Sequence, residues 1–92
     1  MTNHSLVWVF NGVRSNFPSA IFSNRELAED WIKKYQLTGT LTVYPVDISA
    51  YEWSIINGYF HPKKDEHFSP EFIGRFSSGH EHYHYEEGEC KT

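Results

Sequence analysis

Residues 19–44, SAIFSNRELAEDWIKKYQLTGTLTVY, contain the pattern that decides the fold. Ser19–Phe22 is predicted to form a short strand, because β-branched and aromatic residues favour extended backbone. Ser23 and Glu26 have the Ser-x-x-Glu spacing of a capping box, which predicts that a helix begins there. Thr40–Tyr44 alternates threonine with apolar residues and predicts a second strand. The order strand, capped helix, strand indicates a mixed fold.

The helix between these strands is predicted to be amphipathic. Its apolar residues recur at helical spacing and form one stripe, made of Leu27, Ala28, Trp31, Ile32 and Tyr35. The opposite side has two favourable i,i+4 charge pairs, Glu29 with Lys33 and Asp30 with Lys34. An apolar stripe of this kind needs a surface to cover, so we expect the helix to pack on a sheet.

A further strand is predicted upstream, and two short helices are predicted downstream. Leu6–Phe10, LVWVF, is apolar at both parities, which is typical of a strand buried on two faces or nearly so. Ser49 and Glu52 repeat the capping-box spacing and predict a helix over about residues 49–58, with a strand as the alternative. Ser69-Pro70 resembles an N-cap followed by proline at the first helical position, so a second short helix is expected after the charged loop 61–68.

The last strand is predicted from strict alternation over residues 80–85, HEHYHY. Residues 87–92 are polar and acidic, and we expect them to be disordered. The whole chain is therefore predicted to be a single α+β domain with an ordered core over about residues 5–86. The predicted order ββαβα(α)β corresponds to a sheet of about four strands, antiparallel or mixed, with the helices packed on one face.

Charge and apolar content disfavour two classes of partner. Of 92 residues, 8 are Lys or Arg and 12 are Asp or Glu, and the net charge of −4 falls mainly in the second half. Without a basic stripe we expect no nucleic-acid partner. The five-residue apolar run 6–10 is too short for a signal peptide or a membrane helix, so we expect a cytoplasmic protein with no membrane partner.

The alternating strand is the clearest candidate for metal binding. His80, His82 and His84 would point to one side, spaced by roughly 6.6–7 Å, and two neighbouring imidazoles can chelate zinc. A catalytic zinc would need a further ligand, for which the loop offers His61, Asp65, Glu66 and His67. The alternative is a half-exposed strand whose His and Tyr side chains have apolar bodies and polar tips. Because no second ligand cluster has a fixed spacing, no cofactor is expected, and zinc remains the alternative.

No pattern of a catalytic nucleophile is present. The single cysteine, Cys90, lies in the tail, and no serine occupies a Gly-x-Ser-x-Gly elbow. We therefore predict that the protein is not an enzyme.

A binding surface is predicted instead around the last strand and the first loop. The candidate residues are Phe17, Glu81, His82, Tyr83, His84 and Tyr85. Phe17, which precedes Pro18, is either tucked under the edge of the domain or an exposed anchor for a partner. A sheet edge with Tyr and His could also accept a partner strand or a second copy of the chain.

Several motifs in this order along residues 6–88 together resemble one family. They are WVFNG at 8–12, FPSAIF at 17–22, AEDWI at 28–32, LTGTLT at 37–42, YEW at 51–53, FIGRFSS at 72–78 and EHYHYE at 81–86. The chain resembles a family of small bacterial domains of unknown function, and this resemblance implies no catalytic residue. By analogy, such standalone domains are often immunity proteins or other protein-binding proteins of bacterial conflict systems.

Two hypotheses for the function follow. In the first, the protein is a non-enzymatic module that binds a protein partner or forms a homodimer; in an immunity protein, the acidic second half would face a basic toxin. In the second, it is a zinc-binding domain, conceivably a hydrolase, with His80, His82 and His84 as ligands.

Overall fold

The fold is a five-stranded antiparallel sheet with three helices in the part of the chain that the computed structural model describes, residues 4–77 and 81–91. The elements are β1 (Leu6–Gly12), β2 (Ala20–Phe22), α1 (Arg25–Lys34), β3 (Gly39–Pro45), α2 (Ala50–Ile56), a 3₁₀ turn (Asp65–Phe68), α3 (Pro70–Arg75), β4 (His82–Glu86) and β5 (Glu89–Cys90). The strand order is β2-β1-β3-β4-β5, and each neighbouring pair is antiparallel. The predicted α+β class is confirmed, with one strand more than expected.

The packing of the sheet is one-sided. Residues directly opposite each other in antiparallel strands share a face, and Phe10, Leu41 and Tyr83 are opposite one another. We call this side the core face. Every strand residue that is buried lies on it, namely Phe10, Leu41, Val43, Pro45 and Tyr85. Helix α1 covers this face with Ala28 and Ile32, which are fully buried.

Helix α1 has the predicted amphipathic character but a different cap. Asn24, and not Ser23, is the N-cap, and its Oδ1 accepts a hydrogen bond from the Leu27 amide at 2.9 Å. The capping residue must directly precede the first helical residue, which here is Arg25. Leu27, at one margin of the predicted stripe, is exposed, whereas the central residues pack on the sheet.

Strand β1 is less buried than the predicted burial on two faces or nearly so. Only Phe10 is buried, on the core face; Trp8 on that face and Val7 and Val9 on the opposite face are half-buried. The side of LVWVF that contains Val7 and Val9 therefore has no fully buried residue.

Residues 49–76 form a second, smaller cluster of aromatic side chains. Both predicted caps are confirmed: Ser49 Oγ accepts from the Glu52 amide at 3.0 Å, and Ser69 Oγ accepts from the Phe72 amide at 3.1 Å. Tyr51 is the buried centre, with ring centroids 5.6–6.3 Å from its neighbours Phe60, Phe72 and Phe76. Its hydroxyl donates to the His67 carbonyl at 2.8 Å, which ties α2 to the 3₁₀ turn.

The acidic tail forms strand β5, where disorder was predicted. Glu87 (φ +48°) and Gly88 (φ +88°) are both in the left-handed region, as a two-residue type I′ hairpin requires, and Glu86 pairs with Glu89 across the turn. The Gly88 amide donates to the Leu37 carbonyl at 2.9 Å, which anchors the hairpin beside the end of α1.

No helix within residues 4–77 and 81–91 is long and apolar enough to cross a bilayer.

Candidate binding face

The side of the sheet opposite to the core face is the candidate site, and we call it the open face. The strand register arranges its residues in four rows across the sheet: Val7 and Tyr44; Ile21, Val9, Thr42 and His82; Asn11, Thr40 and His84; and, at the β4–β5 turn, Glu86 and Glu89. The first three rows contain nine residues. None of these nine residues is buried, whereas the core face contains every buried strand residue. Antiparallel sheets commonly leave one face to solvent, and that face is then usually polar and charged.

The first three rows of the open face are uncharged, and the charge of this face is confined to Glu86 and Glu89 in the fourth row. None of the nine residues of the first three rows is Lys, Arg, Asp or Glu, although these types make up 22% of the chain. Depletion of charge, rather than bulk hydrophobicity, distinguishes the core of a protein–protein interface from ordinary surface. The composition of these three rows is therefore that of an interface core.

The two sides of the open face differ in chemistry. The β2 and β1 side is aliphatic, and Ile21 at its margin is 63% exposed. On the β4 side, the rings of His82 and His84 lie edge to face with centroids 5.3 Å apart. Thr40 Oγ1 lies 3.5 Å from His84 Nδ1, at the outer limit for a hydrogen bond. A partner would thus meet apolar groups on one side and polar groups on the other.

Charged side chains lie beside the uncharged rows of the open face. A shallow depression of about 380 Å³ is lined there by Arg14, Thr38 and Glu86, together with open-face residues that include His84. The Val13 amide donates to the Thr38 carbonyl at 3.0 Å, which fixes the loop that contains Arg14 against the start of β3. A charged rim beside an uncharged centre is the usual anatomy of an interface.

Strand β4 divides the predicted binding residues between two environments. His82 and His84 are exposed on the open face, whereas Tyr83 and Tyr85 are on the core face. Tyr85 is only 3% exposed, and its hydroxyl donates to Glu29 Oε2 at 2.7 Å. In this structure its side chain belongs to the core and offers no surface to a partner.

Tyr83 is half-buried in a polar cluster at the margin of the core face. Its ring stacks on Trp8 with centroids 6.2 Å apart, and the Arg25 guanidinium carbon lies 3.8 Å above the ring centre. Its hydroxyl donates to the carboxylate of Glu81, and this hydrogen bond raises the pKa of the Tyr83 phenol. The pKa of Tyr85 is raised further, first by burial and then by its hydrogen bond to the Glu29 carboxylate.

Phe17 is exposed, so the interpretation that it is tucked under the domain edge is wrong. Its side chain is 77% exposed in the loop between β1 and β2. Ser15 Oγ donates to the Phe17 carbonyl at 2.7 Å and also lies 3.3 Å from its amide, which shapes the loop locally. Phe17 is available as an anchor, and its role in binding stays a prediction.

The zinc hypothesis stays a prediction as well. His82 and His84 are side by side, whereas His80 lies outside the described residues. His67 is engaged elsewhere: its Nδ1 accepts from the Lys63 and Lys64 amides at 3.1 and 3.2 Å. Within residues 4–77 and 81–91, no group of three or more His, Cys, Asp or Glu side chains is placed to hold a metal ion.

The sequence did not predict that the aliphatic residues of the open face belong to a binding surface. The pattern that places apolar residues there is nevertheless visible, because LVWVF is apolar at both parities. That pattern fits burial on two faces and an apolar open face equally well, and only the position of the helices decides between them.

Fold and site together define a class: a small α+β domain whose sheet has a core face covered by a helix and an opposite face with nine uncharged residues, none of them buried. The chain belongs to the family described as "Domain of unknown function (DUF7710)", whose family model matches residues 7–91. This agrees with the resemblance to a family of unknown function. No curated protein and no solved structure matches the chain.

Proposed function

We propose that the protein is a non-enzymatic module that binds a protein partner through the open face. The observation that carries this proposal is that nine neighbouring surface positions, drawn from four strands, contain no charged residue. A solvated sheet face gains nothing from excluding Lys and Glu, whereas an interface core does, because each buried charge must be desolvated.

The extent of the face indicates a modest affinity. The five strands contain 24 residues, and at about 3.3 Å per residue and about 4.8 Å between strands they give a face of roughly 350–400 Å². Standard interfaces bury about 800 Å² on each partner, so the open face alone corresponds to a weak or transient complex. Exposed loop residues such as Phe17 can enlarge the contact.

The face is a better candidate than the sheet edges. The edge strands are β2, with three residues, and β5, with two. Short edge strands are a common means of preventing a sheet from pairing with other chains. The strand with His and Tyr is not the edge that the sequence suggested, because β5 pairs with it at Tyr85 and Glu86.

The test compares two matched substitutions. Ile21 on the open face and Ile56 on α2 have the same exposure, 63%, and neither is in the core. Immobilised wild type, Ile21→Lys and Ile56→Lys are used to capture partners, and each captured protein is then purified and titrated. The proposal expects Ile21→Lys to weaken binding at least tenfold, a loss of about 1.4 kcal/mol, and Ile56→Lys to leave it unchanged. Equal binding by all three proteins would contradict it.

An immunity-type role is a narrower form of the proposal, in which the partner is a basic toxin. The carboxylates of residues 47–92 would steer such a partner, and two of them, Glu86 and Glu89, lie on the open face beside the uncharged rows. This version predicts that association slows as salt is added, because exposed charges affect the association rate more than the dissociation rate.

The second candidate function is zinc binding, favoured by the 5.3 Å separation of the His82 and His84 rings. The decisive measurement is metal content by mass spectrometry on untagged protein purified without a metal column. About one zinc per chain that disappears in His82→Ala and His84→Ala, but not in His61→Ala, would support it. Protein that is metal-free and takes up no zinc on titration would end it.

A further inference from the structure

We infer that the shallow depression beside the open face binds a small zwitterion. The ligand is a molecule with an ammonium and a carboxylate group close together, such as a free α-amino acid. This inference goes beyond the proposed function, because the ligand is a small molecule and not a protein. It follows from two unpaired charges of opposite sign, from the contacts that fix the backbone beside them and from the conformation of Arg14.

The depression has two exposed charged side chains of opposite sign, Arg14 and Glu86. Within residues 4–77 and 81–91, neither side chain has a hydrogen bond or an ion pair, with the other or with a third group. A guanidinium binds a carboxylate through two parallel hydrogen bonds, and a carboxylate accepts hydrogen bonds from an ammonium group. The two side chains together therefore offer a partner to each charge of a zwitterion.

The remainder of the lining favours a zwitterion over a simple anion or cation. Its polar side chains include the Asn11 amide and the Thr38 and Thr40 hydroxyls, which can donate to a carboxylate or accept from an ammonium group. With His84 neutral, the lining has one positive and one negative charge. A ligand with a single charge would leave one of these two charges without a partner.

Thr38 fixes the backbone on both sides of the depression. Its carbonyl accepts from the Val13 amide at 3.0 Å, and its Oγ1 accepts from the Glu87 amide at 3.0 Å. Val13 and Glu87 are the chain neighbours of the two charged residues, so each charged side chain extends from a backbone that is tied to Thr38. A ligand that bridges the two charges thus meets a backbone that is already ordered, which reduces the entropy cost of binding.

The backbone of Arg14 is left-handed, with φ +65°. The Ser15 amide donates to the Gly12 carbonyl at 3.0 Å, and Arg14 is the third residue of the turn that this bond closes. Glycine adopts this conformation without steric cost, so arginine is unfavourable for the fold here, and strain of this kind is concentrated at functional sites. Three other described non-glycine residues have a positive φ, but none of them lines the depression. The fold gives no reason for an arginine at this position, whereas ligand binding does.

The size of the depression suits a small ligand, and its shape sets the expected affinity. Its volume of about 380 Å³ is within the range of roughly 300–1,000 Å³ that is usual for small-molecule sites. Because the depression is shallow, part of the ligand stays in water, and we expect a dissociation constant in the millimolar range.

Amide NMR titration of the full chain with glycine, up to about 50 mM, tests the inference at this expected affinity. Saturable shifts are expected at the amides of Val13, Thr38 and Glu87 and not within α3. Acetate and methylammonium each have only one of the two charges of glycine. Each is expected to bind at least about tenfold more weakly than glycine does.

Charge reversals separate binding from structure. Arg14→Glu and Glu86→Arg each leave two like charges in the depression and are expected to weaken glycine binding at least about tenfold. The double variant again has one charge of each sign and is expected to recover binding. Arg75→Glu, at an exposed arginine of α3, is the control and is expected to bind as wild type does. Arg14→Gly is expected to lose binding without a fall in melting temperature, since it removes the guanidinium and relieves the turn.

Wild type that shows no saturable shift with glycine would overturn the inference. Equal affinity for glycine and acetate would do the same, because the depression would then be a simple anion site. A double reversal that binds no better than the two single reversals would also contradict it. The proposed protein-binding function is tested at Ile21, which all of these variants retain, so the two can fail separately.

Discussion

At the scale of single residues, the strictest steric constraint is where the start of β3 pairs with the end of β1. Gly39 of β3 lies opposite Gly12 of β1, and a Cβ at Gly39 would be 2.2 Å from the Asn11 carbonyl oxygen. At Gly12, the nearest atom to an added Cβ is 4.0 Å away. Position 39 therefore has no room for a side chain, whereas position 12 can accept a methyl group.

We expect Gly39→Ala to lower the free energy of unfolding by at least about 2 kcal/mol, because backbone atoms must move to admit the methyl group. Gly12→Ala, the matched control, is expected to change it by less than about 0.5 kcal/mol. Urea denaturation of both variants measures the difference. Equal losses of unfolding free energy in the two variants would mean that the close backbone approach at Gly39 does not exclude a larger residue there.

The buried phenol of Tyr85 predicts a specific dependence on alkaline pH. Burial and the Glu29 carboxylate raise the pKa of Tyr85 in the folded state above the unfolded value of about 10. The protonated phenol therefore stabilises the fold fully below pH about 10, and that contribution is lost as the pH rises above it, because the unfolded chain ionises first. Tyr85→Phe removes the hydroxyl and with it this dependence.

At pH about 8, wild type is expected to exceed Tyr85→Phe in unfolding free energy by about 1.5 kcal/mol, the contribution of a hydrogen bond to a charged acceptor. The difference should shrink steadily above pH about 10. Denaturation curves of both proteins at several pH values measure it. A constant difference across the alkaline range would contradict the prediction, because it would mean that folding does not raise the pKa of the Tyr85 phenol.

The alternation of His and Tyr along β4 was predictable from the sequence, but the side of the strand that becomes covered was not. The sequence places histidines on one side and tyrosines on the other, and the register confirms this for residues 82–85. Which side is covered depends on where α1 packs. That is a contact between Glu29 and Tyr85, 56 positions apart, and no local pattern contains it.

At the scale of elements, His67 organises the loop that follows α2. Its Nδ1 accepts from two successive amides, those of Lys63 and Lys64, at 3.1 and 3.2 Å. Its ring packs on Phe60 and Phe72 with centroids 5.2 and 4.9 Å away. The side chain thus joins the backbone of the loop to the aromatic cluster.

His67→Phe keeps an aromatic ring but removes the acceptor. We expect a loss of about 1 kcal/mol in unfolding free energy, since the two amides lose their protein partner but can reach water. Hydrogen exchange at the Lys63 and Lys64 amides should accelerate, and His61→Phe, at an exposed position in the same loop, serves as the control. Unchanged exchange at these two amides would mean that the loop is held by other contacts.

Elements with local signals were predictable, and elements held by distant contacts were not. Ser49 and Ser69 cap their helices as predicted, because a cap is an interaction over three residues. The 3₁₀ turn Asp65–Phe68 was predicted as loop, since His67 reaches back to the backbone in a way that no periodicity encodes. Such short turns depend on the packing around them.

At the scale of the whole molecule, α1, a helix of ten residues, packs on the core of a five-stranded sheet, and α2 contacts β3. The α+β class was predictable, because the amphipathic α1 needs a sheet and has one apolar stripe. The open face was not, because LVWVF in β1 is compatible with a second covering layer. The proposed protein partner supplies that layer, which would explain why a strand of this composition has an open side.

The β4–β5 hairpin contacts α1 and the start of β3. The Glu87 amide donates to Thr38 Oγ1 at 3.0 Å, and the Lys91 amide donates to the His84 carbonyl at 2.8 Å. A Cβ at Gly88 would lie 3.3 Å from the Lys33 Cα, so the turn packs closely against α1. The segment thus connects the end of α1, the start of β3 and β4.

Truncation after Glu86 is expected to lower the unfolding free energy by about 1–2 kcal/mol, because several net hydrogen bonds are lost while the entropy cost of ordering the segment is also removed. It also exposes the outer edge of β4, so aggregation on heating should increase. Truncation after Lys91 removes only Thr92 and is the control. If the tail were disordered, as its composition suggests, both truncations would leave urea denaturation unchanged, and this outcome would contradict the placement of β5 in the sheet.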